Sequence, residues 1–295
     1  MRNLNGWIIS NRFLNSKEKF LQLNRRLILA AQNRGIQLTH YSNDQLMVQF
    51  ENDGLKLGIS KKLDFVIFMD KDVQLAKALE QEGFRLFNSA KAIEICDDKA
   101  LTAMAVSGKG IKLPRTVLAP KTFEGIGYSN LEFLESVIIK LGLPLVVKEC
   151  FGSFGQQVYL ANDLEGLQQI VSNTSKPLLF QEYISSSYGR DIRIQVVGGK
   201  VVASMLRVNK NDFRANITNG ATMESYHPSV EECEMALKVC EIIGVDFAGV
   251  DILFGKEGPV FCEINSNAHI ENIFTCTGID VAESIIDYVI KEVGE

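Results

Sequence analysis

The chain reads as an α/β (α+β) protein, and three observations predict that class. Short apolar runs alternate with helical patterns through residues 1–90, as in a unit built of strand–helix repeats. Farther on, "DILFGKEGPVFCEIN" places two apolar runs around a "GKEGP" turn, the signature of a β-hairpin. Helical stretches near 131–141, 164–171, 229–243 and 279–292 separate these strands.

Taken in order, "GWIIS" is the first strand. A helix follows from Ser16 to Asn33, with Phe20, Leu23, Leu27 and Ala30 or Ala31 at helical spacing. "GIQLTHY", "LDFVIFMD" and "FRLFN" are further short strands, and they close a first unit near residue 90. "NSAKAIEICDDKALTAMAVSGKGIKLP" reads as a helix pair or hinge, with Asp97 or Asp98 as a cap. The strands "RTVLA", "PLVVKEC", "QQVYLA" and "PLLFQEYI" form a second unit, and "SYGRDIRI" opens a third. The expected domains are therefore 1–90, 91–185 and 186–295. No linker is long enough to make them independent, so they should share an interface.

Bulk properties exclude several classes of function. A net charge of −5 gives no global positive field for nucleic acid or an anionic membrane. Six cysteines lie scattered without a CxxC pair, several of them inside apolar runs, which points to a reducing, cytoplasmic setting. No apolar run reaches the ~18 residues of a membrane span. The three histidines show no HExxH spacing and there is no GxSxG elbow, which argues against zinc proteases and Ser-His-Asp hydrolases.

Four stretches carry chemistry. In "AGVDILFGKEGPVFCEINSN", a hairpin symmetric about Glu257 sets Asp251 opposite Glu263, with Asn265 next along the same face. Opposed carboxylates destabilise a sheet unless something neutralises them, and two carboxylates with an amide oxygen suit Mg²⁺ beside a phosphate. A solvent-facing polar edge with shifted register is the alternative. "VVKECFGSFGQQV" delivers Lys148 on a strand and then Gly152, Ser153 and Gly155, a loop able to approach phosphate oxygens or simply to turn a hairpin. "PLLFQEYISSSYGRDIRI" ends a strand at Gln181, Glu182, Tyr183 and Ile184, where free backbone groups can read an adenine edge, and then supplies Arg190, Asp191 and Arg193. "LRVNKNDFRANITNGA" gathers Arg207, Lys210, Arg214 and Asn216, either an anion site or a solvated loop.

In order, "CDDK" with Lys99, "PLVVKECFGSFGQQV", "QEYISSSYGRDIRIQVVGGKVVASMLR", "DFRANITNGA", "AGVDILF" and "EINSN" resemble the ATP-grasp superfamily, and in particular its RimK-like carboxylate–amine ligases. The resemblance spans about 88–295 and implies an ATP-grasp fold behind an N-terminal pre-ATP-grasp domain. It implies ATP phosphates at Lys99 and Lys148, a glycine-rich lid at 152–155, and an adenine hinge at Glu182 and Tyr183 with Asp191 at the ribose. Arg214, Ala215 and Asn216 would line the nucleotide region. Asp251, Glu263 and Asn265 would hold two Mg²⁺ ions, with Mn²⁺ as a substitute, and Arg193 and Arg207 would orient an acyl phosphate or substrate carboxylate. The implied reaction joins a carboxylate to an amine, with glutamate as first substrate, a protein, peptide or small-molecule acceptor, and a homo-oligomer as assembly. A non-catalytic ATP-binding regulator is the competing reading. After Asn265 the sequence "SNAHIEN" departs from the Ser-Pro-Gly-type stretch of ribosomal-protein glutamate ligases and leaves the acceptor and His269 unassigned.

Overall fold

The computed structural model describes residues 4–14, 18–57 and 63–294. It begins with β1 (Asn5–Ser10), α1 (Glu18–Gln32), β2 (Gln37–Ser42), β3 (Gln49–Glu51), β4 (Gly54–Lys56), β5 (Phe65–Met69), α2 (Val73–Gln81), β6 (Leu86–Phe87) and α3 (Ala90–Asp97). Four of these strands form a parallel sheet in the order β2-β1-β5-β6. Such a sheet is covered on both faces, so its central strands are apolar throughout, as the fully buried "FVIFM" of β5 shows. The expected strand "FRLFN" contracts to two residues, and the first two residues of the expected helix, Ser16 and Lys17, lie outside the described residues. Because β1 and β5 are parallel neighbours, Asn11 and Asp70 leave the sheet at the same edge.

The chain continues through α4 (Lys99–Val106), β7 (Thr116–Leu118), α5 (Phe133–Leu141), β8 (Leu145–Glu149), β9 (Val158–Ala161), α6 (Leu164–Ser172) and β10 (Leu178–Glu182). The second sheet is antiparallel, ordered β7-β10-β8-β9. Period-2 alternation sorts its side chains: Leu145, Val147, Leu178 and Phe180 pack with α5 and α6. Val146, Lys148 and Gln181 therefore stand on the opposite face.

The last part holds β11 (Arg190–Val197), β12 (Lys200–Val208), β13 (Thr222–Ser225), α7 (Val230–Ile243), β14 (Phe247–Gly255), β15 (Gly258–Asn265), α8 (Glu271–Thr277) and α9 (Val281–Gly294). Its five-stranded antiparallel sheet runs β13-β12-β11-β14-β15. On one face Ile192, Ile194, Val250 and Ile252 pack with Ala236, Val239 and Cys240 of α7, a helix opened by the Ser229–Glu232 capping box. The other face changes character along its length. Val197, Ala203, Met205 and Phe247 share a core with Val281, Ile285, Ile286 and Val289 of α9 and with Ile8, Leu23 and Leu27 of the N-terminal unit. Farther along, the same face carries charge.

The C-terminal helix thus joins the first and third parts of the chain, each fully buried aliphatic side chain contributing about 1.5–3 kcal/mol. Arg26 reaches Glu271 and Asp280, and Arg34 reaches Glu283 and Asp287, on the rim of this contact. No described helix is long and apolar enough to cross a membrane.

Candidate active site

The β14–β15 hairpin pairs Asp251 with Glu263 and Gly249 with Asn265, although not through the symmetric turn expected from the sequence. Its turn is the two-residue Lys256–Glu257 connection closed by Gly255 and Gly258. In that register Asp251 would face Cys262. A bulge between Asp251 and Ile252 absorbs Cys262 and restores the carboxylate pairing. The bulged thiol is partly buried 3.9 Å from Lys148 Nζ, and desolvation pushes it up to about 11.

Antiparallel pairing then builds a lattice of charge. Arg193 lies opposite Asp251 and Asp191 opposite Arg207, with Asp191 and Arg193 two apart on β11 and so on one face. Arg193 donates to both Asp251 oxygens at 2.7 and 2.6 Å, and Arg207 to both Asp191 oxygens at 2.6 and 2.7 Å. Arg207 also lies 3.0 Å from Asp251. All of these except Arg193 are buried. Burial alone would raise the Asp251 carboxyl, but Arg193 and Arg207 together more than reverse this and hold it below the usual carboxylate range. Burial raises Asp191, against the pull of Arg207 and with the Asp251 charge adding to the rise.

These contacts add partners that the sequence reading did not foresee. The opposition of Asp251 and Glu263, which the sequence leaves to a metal ion, is relieved by two guanidiniums. Asp191 is spent on Arg207 rather than presented alone to a ribose, and the two arginines expected to orient substrate are themselves anchored by aspartates. Glu263 is different: it accepts from the neutral Asn265 amide at 3.0 Å. Among the described residues no cluster of three or more His, Cys, Asp or Glu could hold a metal. Glu263 with the Asn265 oxygen nonetheless fits Mg²⁺, which takes one or two carboxylates and completes its shell with water and phosphate.

Facing Glu263 across the cleft are cations. Asp98 caps α4 by accepting from Ala100 N at 2.7 Å, so the following Lys99 projects from the first turn, while β8 delivers Lys148. Asp97, the other expected cap, instead binds Lys71 Nζ at 2.6 Å. Among the described residues neither Lys99 nor Lys148 has a carboxylate within ion-pair reach. Lys99 donates to Gly152 O at 3.2 Å. Burial holds its ammonium below the ordinary value, Glu263 opposes this, and Lys148 and Lys71 add to the lowering. One buried and one partly buried cation facing a single carboxylate favour an anionic ligand.

The glycine loop closes over this point. Lys71 Nζ reaches Ser153 Oγ at 3.3 Å, Arg214 donates to Gly155 O at 2.8 Å, and Thr218 donates to Phe154 O at 3.2 Å. Gly155 has φ +70°, and a Cβ there would meet Asn216 Oδ1 at 2.3 Å, so this crossing of the two loops admits only glycine. Phe154 adopts φ 61°, and its ring lies 5.8 Å from His269, which in turn lies 4.5 Å from Phe20.

A second cleft opens between the sheets, with apolar walls from Val146, Val158, Leu253 and Phe213, and it contains Glu182–Ile184, Ala215 and Asn216. At its hinge Gln181 donates to Thr116 Oγ1 at 3.0 Å and Glu182 accepts from Arg115 at 2.6 Å. Those side chains are held by protein partners, and Tyr183 and Ile184 follow them along the slot. Sequence reading missed Lys71, Arg115, Asn11 and Asp70. The signal for Lys71, Asn11 and Asp70 was their position directly after the apolar strands of a parallel sheet, where ligands of α/β sheets gather.

The family model described as the RimK-like ATP-grasp domain matches residues 96–289. A probable alpha-L-glutamate ligase of Methanococcoides burtonii is 32% identical over 300 residues, covering 94% of each chain. Beta-citrylglutamate synthase B of Danio rerio is 28% identical over 302 residues, covering 97% of this chain and 73% of that one. In fold, the chain resembles the ATP-grasp ligase PsnB, solved with a precursor variant, Mg and ADP, at a TM-score of 0.71 and 15% identity over 99% of each chain. ATP-grasp ligases bind ATP and Mg²⁺. The chain belongs to the RimK-like ATP-grasp family of ATP-dependent ligases.

Proposed function

We propose that this protein joins a carboxylate to an amine through an acyl phosphate made from ATP, with L-glutamate as one substrate. The observation that carries this reading is the pair of lysines, buried Lys148 and partly buried Lys99, set opposite Glu263 and Asn265 without carboxylates of their own. Both steps of such a reaction gather negative charge on oxygen, and fixed cations in a closed site are what lowers their barriers.

In this reading Lys99 and Lys148 hold the phosphates, and Ala215, Asn216 and the backbone of 182–184 line the slot for the base and sugar. Glu263 and Asn265 hold Mg²⁺, with Asp251 joining them when a guanidinium gives way. Bound Mg²⁺ supplies neutralisation of the triphosphate. Two ions, replaceable by Mn²⁺, and a homo-oligomer complete the proposal. Arg193 and Arg207, fixed by Asp251 and Asp191, present their remaining N–H groups toward the cavity where the substrate carboxylate is activated. Gly152, Ser153 and Gly155 form the lid that keeps water from the acyl phosphate. Glutamate is supported by the names of the two relatives, both of which contain it.

The test is phosphate release from Mg·ATP, screened against the twenty amino acids singly and in pairs and against citrate, with mass spectrometry of the products. Phosphate release that depends on glutamate, with a condensed product of matching mass, is the expected result. Tight ATP binding with no phosphate release under any combination, including added peptides ending in glutamate, would overturn the ligase reading in favour of an ATP-binding regulator.

A further inference from the structure

Beyond the lysines lies a cavity of about 690 Å³ that runs from Glu263 to the edge of the N-terminal sheet. The charged groups along it are mostly matched. Arg193 and Arg207 are held by Asp251 and Asp191, Glu271 by Arg26, and Lys71 by Asp97. Glu263 stands at the phosphate end. On the side of the N-terminal sheet Asp70 is the one described carboxylate in the cavity wall, apart from Glu263, with no cationic partner.

The fold explains why Asp70 stands there. In the parallel sheet β2 lies on one side of β1 and β5 on the other, so the winding reverses between β1 and β5. The crevice outside the carboxyl ends at such a reversal is where open α/β sheets take ligands. Asn11 follows β1 and Asp70 follows β5, and both side chains line the cavity. The Asn11 amide is fixed by accepting from Phe13 N at 2.9 Å, which turns its Nδ2 to both Asp70 oxygens at 3.2 Å. Lys71 N donates to Asp70 Oδ1 at 2.7 Å. These neutral donors orient the carboxylate and leave acceptor capacity, above all on Oδ2. Burial raises the Asp70 carboxyl, and the charges of Asp72 and Asp97 add to the rise, a strain that a cation would relieve.

Building on the ligase reading above, we propose that Asp70, positioned by Asn11, receives the ammonium group of the amine substrate at the wall that the N-terminal sheet gives the cavity. Carboxylate activation takes place by Lys99, Lys148 and Glu263, and the amine waits at the N-terminal sheet. The ammonium first gives one proton to Asp70; the freed nitrogen lone pair forms the C–N bond at the acyl carbon, phosphate leaves with the C–O bonding pair, and the second proton lost from nitrogen passes to the departing phosphate or to solvent. The N-terminal unit is then an amine-binding module rather than a scaffold alone.

Hydroxylamine separates the two halves of the reaction, because it is largely uncharged at neutral pH and captures an acyl phosphate without an ammonium site. Wild-type protein and Asp70→Asn are given Mg·ATP with L-glutamate or citrate as the acid, and either hydroxylamine or L-glutamate as the amine. The expected result is hydroxamate formation within twofold of wild type, with the KM for the glutamate amine raised about 10- to 100-fold, the range for losing a charge-assisted hydrogen bond. KM for ATP stays unchanged. Asp70→Glu restores part of the amine affinity, and thermal unfolding of Asp70→Asn is unchanged or raised, since an unpaired buried carboxylate is removed. Equal loss of hydroxamate and amide, or a normal KM for the amine, overturns the assignment. Absence of hydroxamate in the wild type overturns the ligase reading itself, and this inference with it.

Discussion

Arg193 and Arg207 grip Asp251 and Asp191 on the inner face of the five-stranded sheet, whereas Arg26 and Arg34 grip Glu271, Asp280, Glu283 and Asp287 where α1 meets the C-terminal helices. The two networks use the same fork geometry in different surroundings. In the first, Arg207, Asp191 and Asp251 are buried, so each charge depends on its partner to offset lost hydration. In the second, Asp287 keeps 64% of its side-chain surface and Glu283 40%, and water shares the work. A buried lattice of this kind is a poor way to gain stability, because an apolar cluster of equal volume would serve as well. Under the ligase reading proposed above, its place beside Glu263 and the lysines has a reason: it would fix rigid, oriented N–H groups in the wall of the cavity.

The sharpest way to break the comparison is Asp251→Ala, which leaves the partly buried Arg193 with no described carboxylate and the buried Arg207 with Asp191 alone. An uncompensated buried charge costs about 3–5 kcal/mol, so urea unfolding should show a loss of that size. A loss under about 1 kcal/mol would mean that the lattice is hydrated and no different in kind from the rim network.

Glu263→Gln probes the neighbour that belongs to neither network. Its carboxylate meets the Asn265 amide rather than a guanidinium, so the fold should lose less than about 1 kcal/mol. Turnover of Mg·ATP should fall at least about 100-fold if this group holds the metal. Unchanged turnover with a lowered Tm would reverse the roles of Asp251 and Glu263.

Much of this site was legible before the structure. The pairing of Asp251 with Glu263 followed from alternation and turn position, Lys148 and the loop 152–155 from polar residues placed at the end of an apolar strand, and Lys99 from the family resemblance alone. What escaped was everything set by partners distant in sequence. Nothing near Arg193 announces that Asp251, 58 residues away, will occupy its fork. The bulge at Cys262 leaves no local trace either, because the symmetric hairpin and the bulged one bring the same carboxylates together. The strands β3 and β4 and the edge strand β13 were missed because three or four mostly exposed residues carry almost no apolar pattern.

The rim network gives a smaller effect. Arg34→Ala removes contacts to Glu283 and Asp287, both substantially exposed, so about 1 kcal/mol or less is expected, and the loss should shrink as salt is raised. A salt-independent loss as large as that of Asp251→Ala would show that the α1–α9 contact behaves as a buried one, and that solvent access does not separate the two networks.

The smallest effect comes from a polar cluster that carries no counter-charge at all. His40 Nε2 lies 2.7 Å from Ser10 Oγ and 3.3 Å from Asn24 Nδ2, on the N-terminal sheet behind α1. Burial lowers its pKa from the ordinary 6.5, with no carboxylate to oppose the shift. Between the lowered folded value and 6.5 the unfolded chain therefore binds more protons than the folded one, so stability rises with pH in that window. The contribution is complete above 6.5 and fades as pH falls toward the folded value, with a slope below the one-proton limit of about 1.4 kcal/mol per pH unit. Stability measured from pH 7 down to 5 should lose that slope in His40→Gln, whose amide can keep the bond to Ser10. If the slope survives, the acid sensitivity of the fold lies with the carboxylates of the two arginine networks, whose protonation frees the guanidiniums they hold.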